Sequence, residues 1–361
     1  MNQTPLNYID GETLMTTMLP PIRFVVSGLL PQGLNILAGA PKVGKSWLAL
    51  WLCLNIAKGN AIWELPVTKG DVLYLCLEDS YSRIQNRLLD ITDNAPDNLF
   101  FCTMSEKLRS GLEEQIEGFL SAHPKTALVV IDTLQRIRTV TGNVSPYASD
   151  YQDLGALKQL ADKHHIAALL IHHLRKMNDD DPMNMISGTT GICGAADSSF
   201  VLRKDKRSGS TATLYCTGRD IEYRELALQF DSSTHIWKLV SDSVTPESVP
   251  RDSIIFSLCA FLREREMFSG TATELAQELR PYCKEIPLPN VLMKKLIRNQ
   301  QELMDNGIVL STRRTHERRE ISLRYVRDGC VSNDGKTDTG SVSNLLSQPS
   351  QPSHDTKIKG V

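Results

Sequence analysis

The chain has 361 residues, of which 23% are charged and 41% hydrophobic, and its formal net charge is −2. That length suits about two domains, and the composition is ordinary for a globular protein. A balance this close to neutral excludes a polyanion-binding field over the whole molecule, so any nucleic-acid surface has to be local. From the N-terminus, 1–33 reads as a lead-in, with Pro20, Pro21 and Pro31 breaking any regular pattern. The opening MNQTPLNYIDGETL has neither the charged start nor the apolar stretch of a signal peptide. No apolar run reaches the roughly 18 residues of a membrane span, so a cytoplasmic protein without membrane contact is expected. Eight cysteines lack C-x-x-C spacing, and most sit in apolar runs. That pattern fits reduced, buried thiols better than disulfides or zinc.

From 34 to about 240, strand-like and helix-like runs alternate. Strands are predicted at 34–38, 72–77, 128–131, 167–171, 199–202, 213–216, 226–230 and 236–239. Helices are predicted at 46–58, 80–91, 110–122 and 150–164. The early strands are continuous apolar runs, as in a parallel sheet covered on both faces. The later ones lie closer together, which predicts a hairpin extension at one edge. SVTPESVPRDS then interrupts with two prolines and reads as a linker. Helical patterns follow at 253–265, 272–280 and 288–306, with Thr271 or Thr273 as N-cap of the second. Strand-like pieces at 308–312 and 320–325 are joined by RRTHERR. Three helices and a basic hairpin are the order of a winged helix. The remainder, rich in Ser, Gly, Asp, Thr and Pro, is expected to be disordered. The expected division is therefore 1–33, 34–242, a linker at 243–252, 253–327 and a tail at 328–361.

The chemistry begins at GAPKVGKSW, residues Gly39, Ala40, Pro41, Lys42, Val43, Gly44, Lys45, Ser46 and Trp47. Glycines let successive N–H groups face inward as a nest for anionic oxygens. Lys45 supplies a charge for β- and γ-phosphates, and Ser46 a hydroxyl for Mg²⁺. An apolar strand before the loop and an apolar helix after it supply the required context. They argue against a chance Gly-Lys-Ser in a turn.

Three further strands end in polar groups. ALVVIDTL closes on Asp132, placed to hold the Mg²⁺ shell. VLYLCLEDS closes on Glu78 and Asp79; Glu78 is placed to polarise an attacking water, while Asp79 or Ser80 can cap the following helix. ALLIHHLRK closes on His172 and His173, which face opposite sides of the strand. His173 is the candidate γ-phosphate sensor, against a packed histidine as the plain alternative; diverging neighbours make a metal pair a poor reading. Over 294–327, Lys and Arg outnumber Asp and Glu nine to four. Lys294, Lys295 and Arg298 would lie on a recognition helix, with Arg313, Arg314, Arg318 and Arg319 on the wing. A protein-docking module or a solvated face reads the same way.

GAPKVGKS, the strand-end Glu78, VVIDTL, IHHLRK and ISGTTGICGAADSSFVL, in this order, resemble the RecA-like ATPases of the RepA and DnaB-type helicase group. Within it they resemble the RepA-like ATPases of plasmids, phages and conjugative elements, over roughly 20–240. The resemblance implies an α/β fold: a RecA-like P-loop NTPase core with a parallel-rich twisted sheet, here followed by a small C-terminal winged-helix domain. It implies ATP and Mg²⁺ at 39–46, with Ser46 and Asp132 on the metal. Glu78 matches the group's catalytic glutamate and His173 its polar sensor. The segment 174–196 would line a ring's channel and touch DNA through Arg175, Lys176 and the glycines Gly188, Gly191 and Gly194, rather than through the acidic DDD at 179–181. Arg219 would serve as an arginine finger toward a neighbouring subunit of a homo-oligomer, expected to be a hexamer. Two departures stand out: Lys42 occupies a position where glycine is frequent, and Thr217 one where DnaB-type helicases carry a lysine. Arg203, Lys204, Lys206 and Arg207 read as a solvated turn. The implied function is a ring ATPase acting on DNA in replication of a mobile element, as helicase or motor. The alternative is an ATP-controlled DNA-binding regulator or helicase loader without processive unwinding.

Overall fold

The computed structural model describes residues 8–17, 19, 21–138, 146–175, 179, 181–186, 190–206, 209–244, 253–283, 285–314 and 319–326. The chain divides into two compact units, one of 22–248 and one of 1–21 with 249–361. Helix α1 (Gly11–Thr16) is a short element capped by the Asp10 side chain, which accepts from the Thr13 N–H at 2.8 Å.

In the unit 22–248, β1 (Phe24–Val26) and β2 (Leu30–Pro31) pair with each other. The main sheet alternates with helices: β3 (Gly33–Gly39), α2 (Lys45–Lys58), β4 (Asp71–Cys76), α3 (Tyr81–Ile91), β5 (Leu99–Cys102), α4 (Leu112–Ala122) and β6 (Thr126–Asp132). Then come α5 (Leu134–Ile137), α6 (Pro146–His164), β7 (Ala167–His173), a 3-10 turn (Pro182–Met185) and α7 (Thr190–Ala195). Strands β8 (Ser198–Lys204), β9 (Thr211–Gly218), β10 (Arg224–Asp231) and β11 (Ile236–Asp242) close the unit. The nine strands lie in the order β11-β10-β9-β8-β3-β7-β6-β4-β5. From β8 to β5 every pairing is parallel, and β8 through β11 form the antiparallel extension.

All eight strands expected from apolar runs are present. Successive side chains of a strand serve opposite faces: Leu128 and Val130 pack into one core with Leu48 and Ile56 of α2, while Val129 and Ile131 pack into the other with Leu154 and Leu157 of α6. Burial on both faces is why these strands read as unbroken apolar runs. The expectation omitted β5, a four-residue edge strand, and the short β1–β2 pair. Because β3, β7, β6 and β4 run parallel, their C-terminal ends share one edge: Gly39 pairs with His173, Ile171 with Asp132, and Asp132 with Cys76.

The second unit holds α8 (Ser253–Arg265), β12 (Met267–Gly270), α9 (Ala272–Glu278), α10 (Pro289–Arg298), α11 (Gln300–Asp305), β13 (Ile308–Arg314) and β14 (Arg319–Tyr325). Its three-stranded antiparallel sheet has the order β12-β14-β13, over a core that includes Leu258, Phe261, Leu275, Leu292, Leu296 and Leu323. Thr271 is the N-cap of α9, in a reciprocal box with Glu274. The helix expected over 288–306 is broken at Asn299, whose φ of −97° and ψ of 25° leave helical geometry. Among the described residues, Cys53, Cys76, Cys102, Cys216, Cys259 and Cys283 are free thiols. No described helix is long and apolar enough to cross a membrane.

Candidate nucleotide site

The loop between β3 and α2 turns on two residues of positive φ, Lys42 (64°) and Gly44 (105°). Gly44 is the N-cap of α2 and offers no capping side chain. The first N–H groups of a buried 14-residue helix thus lack a side-chain acceptor, and the helix dipole adds to their pull on an anion. A Cβ at Gly44 would stand 3.0 Å from the Trp237 ring, and the Trp237 indole donates to the Gly44 carbonyl at 3.3 Å. Glycine is therefore required there for conformation and for space. The φ of Lys42 gives the reason glycine is frequent at that position: a side chain is strained there. Trp47 stacks on His235 with centroids 4.5 Å apart, and the Arg87 guanidinium lies 5.5 Å from its ring centre.

Lys45 is only 6% exposed. Its Nζ donates to the carbonyls of Gly39 at 2.8 Å and Ala40 at 3.1 Å. Burial pushes its pKa down to about 8, against the opposing pull of Asp132 and Glu78. Asp132, also 6% exposed, accepts at Oδ2 from the Ser46 hydroxyl at 2.8 Å and from the Tyr74 hydroxyl at 3.0 Å. Burial raises the Asp132 pKa, and those two donors work against the rise. Glu78 is 43% exposed at its side chain and accepts from Thr133 Oγ1 at 3.2 Å, with Arg136 Nε at 3.5 Å. Ser80 rather than Asp79 caps α3, accepting from the Arg83 N–H. Asp79 instead pairs with Arg83 and Arg87. At the end of β7, His173 Nδ1 is buried and makes no hydrogen bond among the described residues; His172 is buried as well.

The donor set fits Mg²⁺ brought in with phosphates. No described cluster of three His, Cys, Asp or Glu side chains could hold a metal unaided. Ser46 and Asp132 offer a hydroxyl and a carboxylate in mutual contact. Magnesium is characteristically bound by one or two such oxygen groups with substrate phosphates and water completing its shell.

The remaining candidates lie elsewhere. Arg219 follows β9, and Gly218 pairs with Ser198 at the start of β8. That is the edge opposite the loop 39–47, so the fold does not bring Arg219 to its own chain's Lys45. It is 58% exposed at its side chain, with Nη1 3.4 Å from Asp197 Oδ1. Arg175 donates its N–H to the Met185 carbonyl at 2.8 Å and its Nη2 lies 3.3 Å from Asp179. In the acidic run, Asp181 caps the 3-10 turn by accepting from the Met183 N–H. Lys294 and Arg298 are exposed on α10, Lys295 is half-buried and Arg313 is exposed on β13. Arg314 and Arg319 face each other across the β13–β14 pair. Lys176, Gly188, Arg207 and Arg318 lie outside the described residues. Tyr74 and Trp237, which touch Asp132 and Gly44, carry no motif that points to them in the sequence.

Residues 5–179 match the family described as an AAA domain. The DNA repair protein RadA of Streptococcus pyogenes serotype M6 is 27% identical over 170 residues, 46% of this chain and 34% of that protein. RadA of serotype M1 matches to the same extent, so the chain spans about a third of the length of these relatives. Among solved structures, a DnaB-like replicative helicase, studied with its interactions with primase, aligns with a TM-score of 0.50 and 16% identity. The alignment covers 61% of this chain and 62% of that one. A second solved structure, described as an ATPase domain, aligns at 0.49 and 15%, over 58% of this chain and 85% of that one. Over the aligned 61%, the chain thus shares the fold of that DnaB-like helicase.

Proposed function

We propose that the chain binds ATP with Mg²⁺ at 39–47 and hydrolyses it. The contact that carries this reading is Ser46 Oγ on Asp132 Oδ2 at 2.8 Å, beside a buried Lys45 that, among the described residues, hydrogen-bonds to carbonyls alone. In the proposed mechanism, the main-chain N–H groups of the loop and the start of α2 receive the phosphates. Lys45 exchanges the Gly39 and Ala40 carbonyls for phosphate oxygens. Ser46 and Asp132 would hold Mg²⁺, which neutralises charge developing on the phosphates. Glu78, with its exposed carboxylate, orients the attacking water and accepts its proton. His173, at the end of the strand beside the loop, registers the γ-phosphate.

Arg219 stands too far along the sheet to serve its own site, which supports a homo-oligomer in which it reaches a neighbour's nucleotide; a hexameric ring is the proposed form. This reading assigns the ATPase core to 34–242, a linker to 243–252, a winged-helix-like DNA module to 253–327 and a tail to 328–361. Helix α10 presents Lys294 and Arg298 on one exposed face, and phosphate contacts from such a face give salt-dependent affinity for DNA. The proposed role is a RepA-like helicase or motor in replication of a mobile element. A second reading, an ATP-controlled regulator or loader on duplex DNA, is favoured by that basic helix and hairpin.

Fluorescent-nucleotide binding and phosphate release by the wild type and Lys45→Ala test the first step. The variant should lose both at least a hundredfold, and equal activity in the two would sink the proposal. Unwinding of a forked duplex, with native mass measured with and without ATP and DNA, separates motor from regulator.

A further inference from the structure

Two opposite charges lie buried at the phosphate edge without neutralising each other. Among the described residues no ion pair joins Lys45 to Asp132; each is held by neutral groups, the ammonium by two carbonyls and the carboxylate by two hydroxyls. In a site of low polarity their mutual attraction is strong, so something must hold the carboxylate in place. Ser46 alone is a poor anchor, because its hydroxyl is a free rotor and its oxygen is committed to the ligand side in the proposed mechanism. Tyr74 is different. It lies in β4, two residues before Cys76, which pairs with Asp132. Its side chain therefore rises on the same face toward the carboxylate. The ring is 3% exposed and packs 6.2 Å from Phe101, so it is a rigid strut fixed by the core under α2. A buried hydroxyl needs an acceptor, and Oδ2 of Asp132 provides it at 3.0 Å. Phenylalanine would fill the same volume without the cost of burying an oxygen.

We propose that Tyr74 is a positioning residue of the nucleotide site: its hydroxyl anchors Asp132 beside Ser46 and apart from Lys45. Lys45 is thereby kept for the phosphates, and the second carboxylate oxygen for the metal shell. The inference rests on the reading of 39–47 as a nucleotide loop.

The test is Tyr74→Phe in the full chain. Binding of a ribose-labelled fluorescent ATP analogue is titrated against Mg²⁺, with melting temperature recorded alongside. The hydroxyl is a donor to a charged group, so its loss should raise half-saturating Mg²⁺ roughly tenfold. Phe101→Leu is the packing control: it should lower the melting temperature and leave half-saturating Mg²⁺ at the wild-type value. The proposal is overturned if Tyr74→Phe titrates like the wild type, or if Phe101→Leu shifts the Mg²⁺ dependence as far. A wild type that binds no analogue overturns the nucleotide reading itself, and this inference with it. Binding that Lys45→Ala abolishes and Tyr74→Phe leaves untouched overturns only the role of Tyr74.

Discussion

The two edges of the large sheet treat charge in opposite ways. At the phosphate edge, Lys45 and Asp132 are buried on neutral partners. At the other edge, Asp197 is closed by cations of its own chain: Lys158 Nζ at 2.6 Å and Arg219 Nη1 at 3.4 Å, with the Leu34 N–H at 2.9 Å. Asp197 also lies where a Cβ on Gly33 would be, 2.4 Å from its carboxylate. One edge carries charge that no opposite charge among the described residues meets in an ion pair, as the proposed nucleotide site requires. The other has already found its counter-charge within the fold, and ties the starts of β3 and β8 to α6. A binding edge is therefore expected to be costly to the unliganded protein, and a closed edge stabilising.

Asp197→Ala should separate the two most sharply. It strands the Leu34 N–H and leaves Lys158 with the exposed Asp162 alone, 3.2 Å away, so the loss should cost about 2 kcal/mol after allowance for the partial exposure of Lys158. Chemical denaturation measures this, and nucleotide affinity of the folded fraction should stay unchanged. At the phosphate edge the sign reverses. Lys45 is lowered from 10.5 to about 8 by burial, so the unfolded chain binds more protons than the folded one between those values. The unliganded protein should gain stability as pH rises through that window, by up to roughly 3 kcal/mol. Below about pH 8 the charged, buried lysine weighs against folding. Lys45→Met should be the more stable protein there, and its advantage should shrink as pH climbs toward 10.5. A constant difference across that range would show that the lysine is no burden to the fold.

The same contrast explains what could be read in advance. The edge where β3, β4, β6 and β7 end is built from a loop, strand ends and a helix start that are distant in sequence but each carry a residue pattern tied to its chemistry. The placement of Gly44, Lys45, Ser46, Asp132, Glu78 and His173 at one edge was therefore legible, as were all eight apolar strands. Asp197, Tyr74 and Trp237 were not. Their partners lie 163, 58 and 193 positions away in sequence and, unlike Ser46 and Asp132, themselves 86 apart, they belong to no motif: an aspartate before a strand or a tyrosine within one looks like any other. In the second unit, the cap of α9 was legible as Thr271 or Thr273, and the reciprocal box with Glu274 falls to Thr271. The break at Asn299 was not, since the apolar pattern continues through Leu303.

The smallest expected effect lies within the loop itself. Lys42 holds φ at 64°, where a side chain is disfavoured by roughly 1 kcal/mol or more relative to glycine. Against this, glycine loses more freedom on folding. Lys42→Gly should therefore stabilise the unliganded chain by only about 0.5 kcal/mol, seen as a small rise in melting temperature. The side chain is exposed and none of the described hydrogen bonds or ion pairs of the site uses it, so little else should change in the fold. A loss of stability would mean that the lysine makes a contact outweighing its strain. If stability rises while nucleotide binding weakens, the strained lysine belongs with Lys45 and Asp132, as a charge kept in an unfavourable state for a ligand to relieve.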